Sequence, residues 1–167
     1  SMTTVFSLLP SPLGPLLLLG SAGILEGVHV AGHPHAPQPP AGAIRDDGAL
    51  DAARRQLAEY FAGTRRRFDL PVETAATPWQ AQVWSSLGEI PYGTTLTYGG
   101  LAARLGRPGA ARAVGGANGA NPLSIVVPCH RVVGAGGSLG GYGWGLERKR
   151  WLLEHERSVL ARAADGR

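Results

Sequence analysis

The sequence predicts an α+β protein in two parts that divide near residue 75. Three observations predict it. Short apolar runs broken by Pro and Gly fill the start, the texture changes to capped helical stretches after "RRRFDLPVETAA", and 44% apolar residues in a chain of 167 can build a real core. The bounds read from this are 1–75 for the first part, 76–160 for the second and 161–167 for a tail.

In the first part, "TTVFSLLPSPLGPLLLLGSAGILEGVHVAG" has the spacing of β-hairpins or a meander. "HPHAPQPPAG" follows, too rich in proline for a helix or a central strand. In "DDGALDAARRQLAEYFAG", Leu50, Ala53, Leu57, Tyr60 and Phe61 recur at helical spacing, and Gly63 stands at the C-terminal stop.

The second part opens on "TPWQAQVWSSLGEIP", which predicts a helix with Thr77 as N-cap and Pro78 at its first position. Val83, Trp84 and Leu87 form its inward stripe, and Pro91 lies beyond its end. "LTYGGLAARLG" predicts a second helix that stops at Gly106 or Pro108, and "PGAARAVGGANGANP" a third, short and rich in small residues. Two short helices joined by a tight turn fit a helix-turn-helix. "SIVV" reads as a buried strand leading into "PCHR", "GAGGSLGGYGWG" as a glycine-rich loop, and "LERKRWLLEHE" as a closing helix.

Sixteen Lys and Arg against twelve Asp and Glu give a formal charge of +4, and the pI near 9.8 permits a polyanionic partner. One cysteine allows no internal disulfide and no Cys-x-x-Cys zinc pair, so a reducing compartment is expected, by default the cytoplasm. The uncharged stretch ending at Leu25 is broken by Pro10, Pro12 and Pro15 and lacks a positive leader. It falls short of the roughly 20 unbroken apolar residues of a spanning helix, so no membrane association is expected. Ser1 ahead of Met2 reads as a residue left by cloning.

The single thiol, Cys129, sits in "SIVVPCHRVVG". A lone cysteine is often an inert filler after a strand. Pro128, however, removes a backbone donor and fixes φ, so a turn there can hold the sulfur at the end of the sheet, where it is accessible. His130 cannot face Cys129 on a regular strand. Either the backbone turns or a water bridges the two, in which case the imidazole can take the thiol proton. The imidazole then needs a carboxylate partner. Glu156 is the candidate, one helical turn beyond Leu152 and Leu153 on a face that packs inward.

"VPCHRVVG", preceded by "ARAVGGANGANP" and followed by "LGGYGWGLERKRWLLEHE", resembles the active-site region of the O6-alkylguanine-DNA alkyltransferases, in order from about Trp79 to Glu156. The first half resembles the family only in size and texture. The resemblance implies a small ribonuclease-H-like domain followed by a winged-helix-like DNA-binding domain. It implies double-stranded DNA containing O6-alkylguanine as partner, with the damaged base flipped out and its alkyl group moved irreversibly to Cys129. The protein is then a single-turnover reagent that uses no cofactor and no metal. A monomer is expected, with clustering along DNA left open.

By matched position, the resemblance makes Tyr98 the donor toward guanine N3 and Asn121 the brace of the cysteine turn. Arg112 becomes the finger that fills the space of the flipped nucleotide. The docking surface it implies comprises Arg112, Ala113, Gly115, Gly116, Ala117, Asn118 and Arg131, where small side chains permit close approach to a minor groove. The pocket wall would be Tyr142, Gly143 and Trp144, with Val132 offering its carbonyl to the exocyclic amine. Gly143 stands where some members have serine, and Trp144 where others have glycine, so a narrower pocket is expected that favours methyl over benzyl adducts.

His29, His33 and His35 lie around a proline-rich loop and are read as exposed side chains, not metal ligands; "RRR" at 65–67 and "RKR" at 148–150 are read as solvated faces. Two other readings stand beside alkyl transfer. A cysteine hydrolase would regenerate its thiol, and a non-catalytic damage sensor would bind without transfer, although sensors similar to this family lack the cysteine.

Overall fold

A computed structural model describes residues 3–166; Ser1, Met2 and Arg167, and with them the reading of Ser1 as a cloning residue, lie outside the described residues. The chain divides into two compact units, residues 1–75 and 76–167.

The first unit is built on a four-stranded sheet in the order β3-β2-β1-β4. Strands β1 (Val5–Leu9), β2 (Leu16–Ser21) and β3 (Ile24–Val30) form an antiparallel meander, and the short β4 (Ile44–Arg45) adds to β1 in parallel. Ala22 and Gly23 make the two-residue turn between β2 and β3, both at positive φ (51° and 79°), the twist that suits a tight hairpin. Helix α1 (Asp51–Ala62) buries Ala53, Leu57 and Tyr60 and ends on Gly63 in the left-handed region at φ 82°. Thr64 N–H donates to Glu59 O and Gly63 N–H to Tyr60 O, which satisfies carbonyls the helix end would leave unpaired.

The second unit carries the chemistry. Helix α2 (Pro78–Leu87) starts on a capping box: Thr77 Oγ1 accepts from Gln80 N–H and Gln80 Oε1 accepts from Thr77 N–H, both at 3.1 Å. Its Val83 and Leu87 pack with Leu101, Ala102, Val114, Ala117, Cys129 and Val132 in one apolar cluster. Strand β5 (Leu96–Thr97) leads straight into α3 (Tyr98–Arg104), which Thr97 caps by accepting from Gly100 N–H. Helix α4 (Ala111–Gly119) follows a turn in which Gly106 takes φ 75°. Strand β6 (Val132–Val133) pairs in parallel with β5, Leu96 opposite Val132, and so sets the start of α3 beside the cysteine segment. Helix α5 (Leu146–Ala164) closes the unit. It continues past residue 160, so the segment read as a tail is helical as far as Ala164.

"SIVV" is not a strand. Residues 124–127 form a tight turn closed by Val127 N–H donating to Leu123 O at 2.8 Å, with Ile125 at φ 74°. A β-branched residue in that region is strained. Asn121 holds the turn from inside: its Nδ2 donates to Val127 O at 2.9 Å and its Oδ1 accepts from Leu123 N–H at 3.0 Å. These side-chain bonds offer the backbone an alternative to a sheet ladder.

Candidate active site

Cys129 opens a 3-10 turn (Cys129–Arg131) directly after Pro128, with its own N–H donating to Val127 O at 2.8 Å. The expectation of an accessible sulfur is corrected here. Cys129 is only 4% exposed and belongs to the apolar cluster, because the turn folds it under α2 and α4 and not out at a sheet end. Burial pushes the thiol above its ordinary value, against the opposing pull of Asn121, Ser124 and the Lys149 charge. The resting group is therefore a thiol that requires a base.

The next residue in sequence is a histidine. His130 is fully buried, and its Nε2 lies 2.7 Å from Glu156 Oε2. Arg131 Nε donates to Glu156 Oε1 at 2.9 Å, its Nη2 to Oε2 at 3.1 Å and its Nη1 to Ile90 O at 2.8 Å. Gly93 N–H donates to Oε1 at 2.9 Å. Burial alone would raise the Glu156 carboxyl, but the hydrogen bonds and charges of His130 and Arg131 outweigh it and hold the group well below the usual carboxylate range. A carboxylate only accepts, so the His130 proton sits on Nε2 and Nδ1 keeps its lone pair. Nδ1 is buried with no hydrogen-bond partner among the described residues. Burial also lowers the imidazole below 6.5, more than Glu156 raises it. The ring is neutral and its free nitrogen can take a proton.

Arg131 thus departs from the docking surface on which the sequence placed it. It is buried and forks onto Glu156, because neutral His130 leaves the carboxylate in need of a cation. Asn118 and Ala117 depart in the same way. Both lie on the inner side of α4, with Asn118 Nδ2 donating to Cys129 O at 3.2 Å and Ala117 O accepting from Trp84 Nε1 at 2.8 Å. Arg112, Ala113 and Gly116 are exposed, and half-buried Gly115 lies against the Tyr98 ring.

Tyr98 Oη donates to Gly141 O at 3.4 Å, and burial first, then the negative charge of Cys129 when it ionises, raises its phenol, so it stays protonated. Gly140, at φ 71°, faces the same ring, where a Cβ would come within 2.8 Å of Oη. Tyr142 is half-buried with its hydroxyl buried near Ser124 and Cys129, and Trp144 packs edge-on against its ring at 6.0 Å. Gly143 is exposed. Val132 is buried, and its carbonyl, expected to face a base, already accepts from Lys149 Nζ at 2.6 Å.

Lys149 is the residue the sequence reading missed, taken with its neighbours for a solvated face. It is fully buried, donates also to Gly141 O at 3.1 Å, and lies 5.8 Å from the Tyr98 ring and 5.9 Å from the Tyr142 ring. Burial lowers its ammonium to about 8, with Cys129 opposing. The signal was present: Lys149, Leu152, Leu153 and Glu156 fall at i, i+3, i+4 and i+7 of α5.

The two shifts at His130 and Glu156 act on stability with one sign. Below pH 6.5 an unfolded chain takes up a proton that folded His130 refuses, and below 4.5 another that folded Glu156 refuses. Stability held above pH 6.5 is lost as pH falls through these values. In an NMR titration His130 is expected to stay neutral, protonated on Nε2 only, to a pH below its ordinary 6.5; an ordinary titration curve for this ring would contradict the assignment.

Comparison with known proteins now bears on the site. The model of the 6-O-methylguanine DNA methyltransferase DNA binding domain matches residues 78–158, and that of the ribonuclease-like domain of the same family matches residues 4–74. The methylated-DNA--protein-cysteine methyltransferase of Mycobacterium tuberculosis (strain ATCC 25618 / H37Rv) is 48% identical over 148 residues, 89% of each chain. That of Salmonella typhimurium is 59% identical over 106 residues, 63% of this chain and 62% of its own. The crystal structure of M. tuberculosis OGT in complex with DNA superposes with a TM-score of 0.86 at 45% identity, covering 93% of this chain and 94% of that one. This chain belongs to the 6-O-methylguanine DNA methyltransferase family.

Proposed function

We propose that this protein repairs duplex DNA directly, moving the alkyl group of an O6-alkylguanine to Sγ of Cys129 in one displacement. The observation that carries the reading is the buried relay in which burial keeps His130 neutral and Glu156, held by Arg131, fixes its proton on Nε2, leaving Nδ1 unprotonated on the residue next in sequence to the single thiol of the chain. His130 takes the thiol proton and the sulfur attacks the alkyl carbon. An S–C bond forms, the C–O6 bond breaks, and the electron pair leaves on the purine. Tyr98, held protonated, donates toward the charge that develops on the base, the proton taken from the thiol restores Tyr98 and His130 to their neutral forms, and neutral guanine remains in the strand. The thioether has no route back to a thiol, so each molecule acts once.

Damaged duplex DNA is the partner, and the exposed side of α4 is the surface that meets it. A Cβ at Gly116 would meet nothing within 4 Å, so packing inside the protein does not demand glycine there. Mid-helix glycine costs roughly 0.5–1 kcal/mol relative to alanine, and close approach of a partner backbone gives it a use. Gly116→Leu is expected to weaken binding to duplex DNA, read by fluorescence anisotropy, without lowering the unfolding midpoint. Unchanged binding would remove α4 from the interface.

Trp144 behind Tyr142 narrows the wall on which an adduct must lie, so methyl is expected to transfer faster than benzyl from otherwise identical duplexes. Equal single-turnover rates would refute this. The reading as a whole is tested by stoichiometry. With a fixed amount of O6-methylguanine duplex, repaired strands should rise in proportion to added protein and stop at one per molecule. Repair beyond that ratio would indicate turnover, and binding without repair a sensor.

A further inference from the structure

The geometry points to Asn118 as a positioning residue that ties the DNA-docking helix α4 to the reacting cysteine. The inference rests on the alkyl-transfer reading above. Helix α4 presents Arg112 and Gly116 outward and Ala117 and Asn118 inward. Two indoles of α2 hold it by its own backbone, Trp79 Nε1 donating to Ala113 O at 3.1 Å and Trp84 Nε1 to Ala117 O at 2.8 Å. The bond from Asn118 is different in kind. It leaves α4 and ends on the carbonyl of the residue that bears the nucleophile, at 3.2 Å.

The chemistry of that bond fixes the orientation of the amide. A carbonyl only accepts, so Nδ2 must face Cys129. Oδ1 is then left buried with no hydrogen-bond partner among the described residues. An amide with half its capacity unmet beside an apolar cluster is an unfavourable way to fill space, and leucine has nearly the same volume without that penalty. The tether is what the asparagine supplies and leucine cannot.

Asn121 completes the device. Its Nδ2 holds Val127 O while Asn118 holds Cys129 O, so the carbonyls on both sides of Pro128 are gripped by side-chain amides. Proline has no N–H with which to anchor itself. The peptide planes before Pro128 and after Cys129, which bracket the Cys129 side chain, are therefore both held by side chains from outside the turn. Arg112 stands in the first turn of α4 and Asn118 in the last, about 9 Å apart along the axis at 1.5 Å per residue. Seating α4 on DNA thus acts on the Cys129 peptide through the Asn118 bond, on a carbonyl that Val132 N–H also holds.

Two variants test this. Asn118→Leu removes the donor and keeps the volume; Asn118→Asp keeps the shape and makes the donor depend on pH. Three quantities are measured: the single-turnover rate at saturating O6-methylguanine duplex, affinity for undamaged duplex, and the unfolding midpoint. Asn118→Leu should transfer about tenfold more slowly, with affinity and midpoint as in wild type. Asn118→Asp should slow progressively as pH rises through titration of its carboxyl, because the protonated acid donates to Cys129 O and the carboxylate cannot; wild type should not slow over that interval. An Asn118→Leu rate equal to wild type, a rate loss explained by weaker binding, or an Asn118→Asp pH profile parallel to wild type would overturn the inference. Failure of wild type to repair the duplex would instead overturn the function on which it rests.

Discussion

Cys129→Ser is expected to bind damaged duplex as wild type does and to transfer no alkyl group. The substitution removes one sulfur from a site where no other thiol exists, and it changes little else in size. Displacement at a saturated carbon needs a soft anion. A serine hydroxyl holds its proton far more tightly than a thiol, and the neutral imidazole of His130 is too weak a base to take it. The burial that already raises the Cys129 thiol works harder still against an alkoxide. Helix α4 and Arg112 are untouched, so affinity for DNA should be preserved. A measurable rate of repair by the serine variant would move the chemistry to another residue.

Glu156→Gln should lose both chemistry and stability. In the native site the carboxylate accepts from His130, from both ends of the Arg131 fork and from Gly93 N–H, all within 3.1 Å. Glutamine cannot accept at every one of these points. Its amide can turn an N–H toward His130 Nε2, which moves the imidazole proton to Nδ1 and abolishes the base. A wrong tautomer of this kind lowers rate on the order of 10⁴-fold in a hydrolase triad, and a loss on the order of 10³–10⁴-fold is expected here. Arg131 is left buried without its counter-charge, a change that typically destabilises by about 3–5 kcal/mol. Chemical denaturation and single-turnover kinetics on the same preparation check both effects. A variant as stable and as fast as wild type would show that the buried carboxylate has neither role.

The sequence shows some of this architecture more readily than the rest, and the difference is physical. Local signals are short in range and strong. Thr77, Pro78 and Gln80 specify the start of α2 without help from the fold, and Gly63 stops α1 because glycine enters the left-handed region freely. Glu156 meets His130 because the stripe of α5 runs for several turns, long enough to tell the inner face from the outer. Helix α4 lacks that advantage. Nine residues, mostly alanine and glycine, give almost no contrast between faces, so the inward turn of Ala117 and Asn118 depends on tryptophans more than thirty positions away. Arg131 and Lys149 mislead for the opposite reason: their charge reads as solvent-facing unless buried partners, Glu156 for one and the carbonyls of Val132 and Gly141 for the other, are known. The turn at residues 124–127 is hidden because a β-branched run normally extends, and the Asn121 side chain, with the Val127 to Leu123 backbone bond, holds it bent.

The destination of the alkyl carbon is the most direct measurement. Wild-type protein incubated with a duplex containing O6-methylguanine, then digested and read by peptide mass spectrometry, should carry the mass of one methylene unit on Cys129 alone, and the strand should carry unmodified guanine. An unmodified Cys129 alongside repaired DNA, or the added mass on any other residue, would contradict the account.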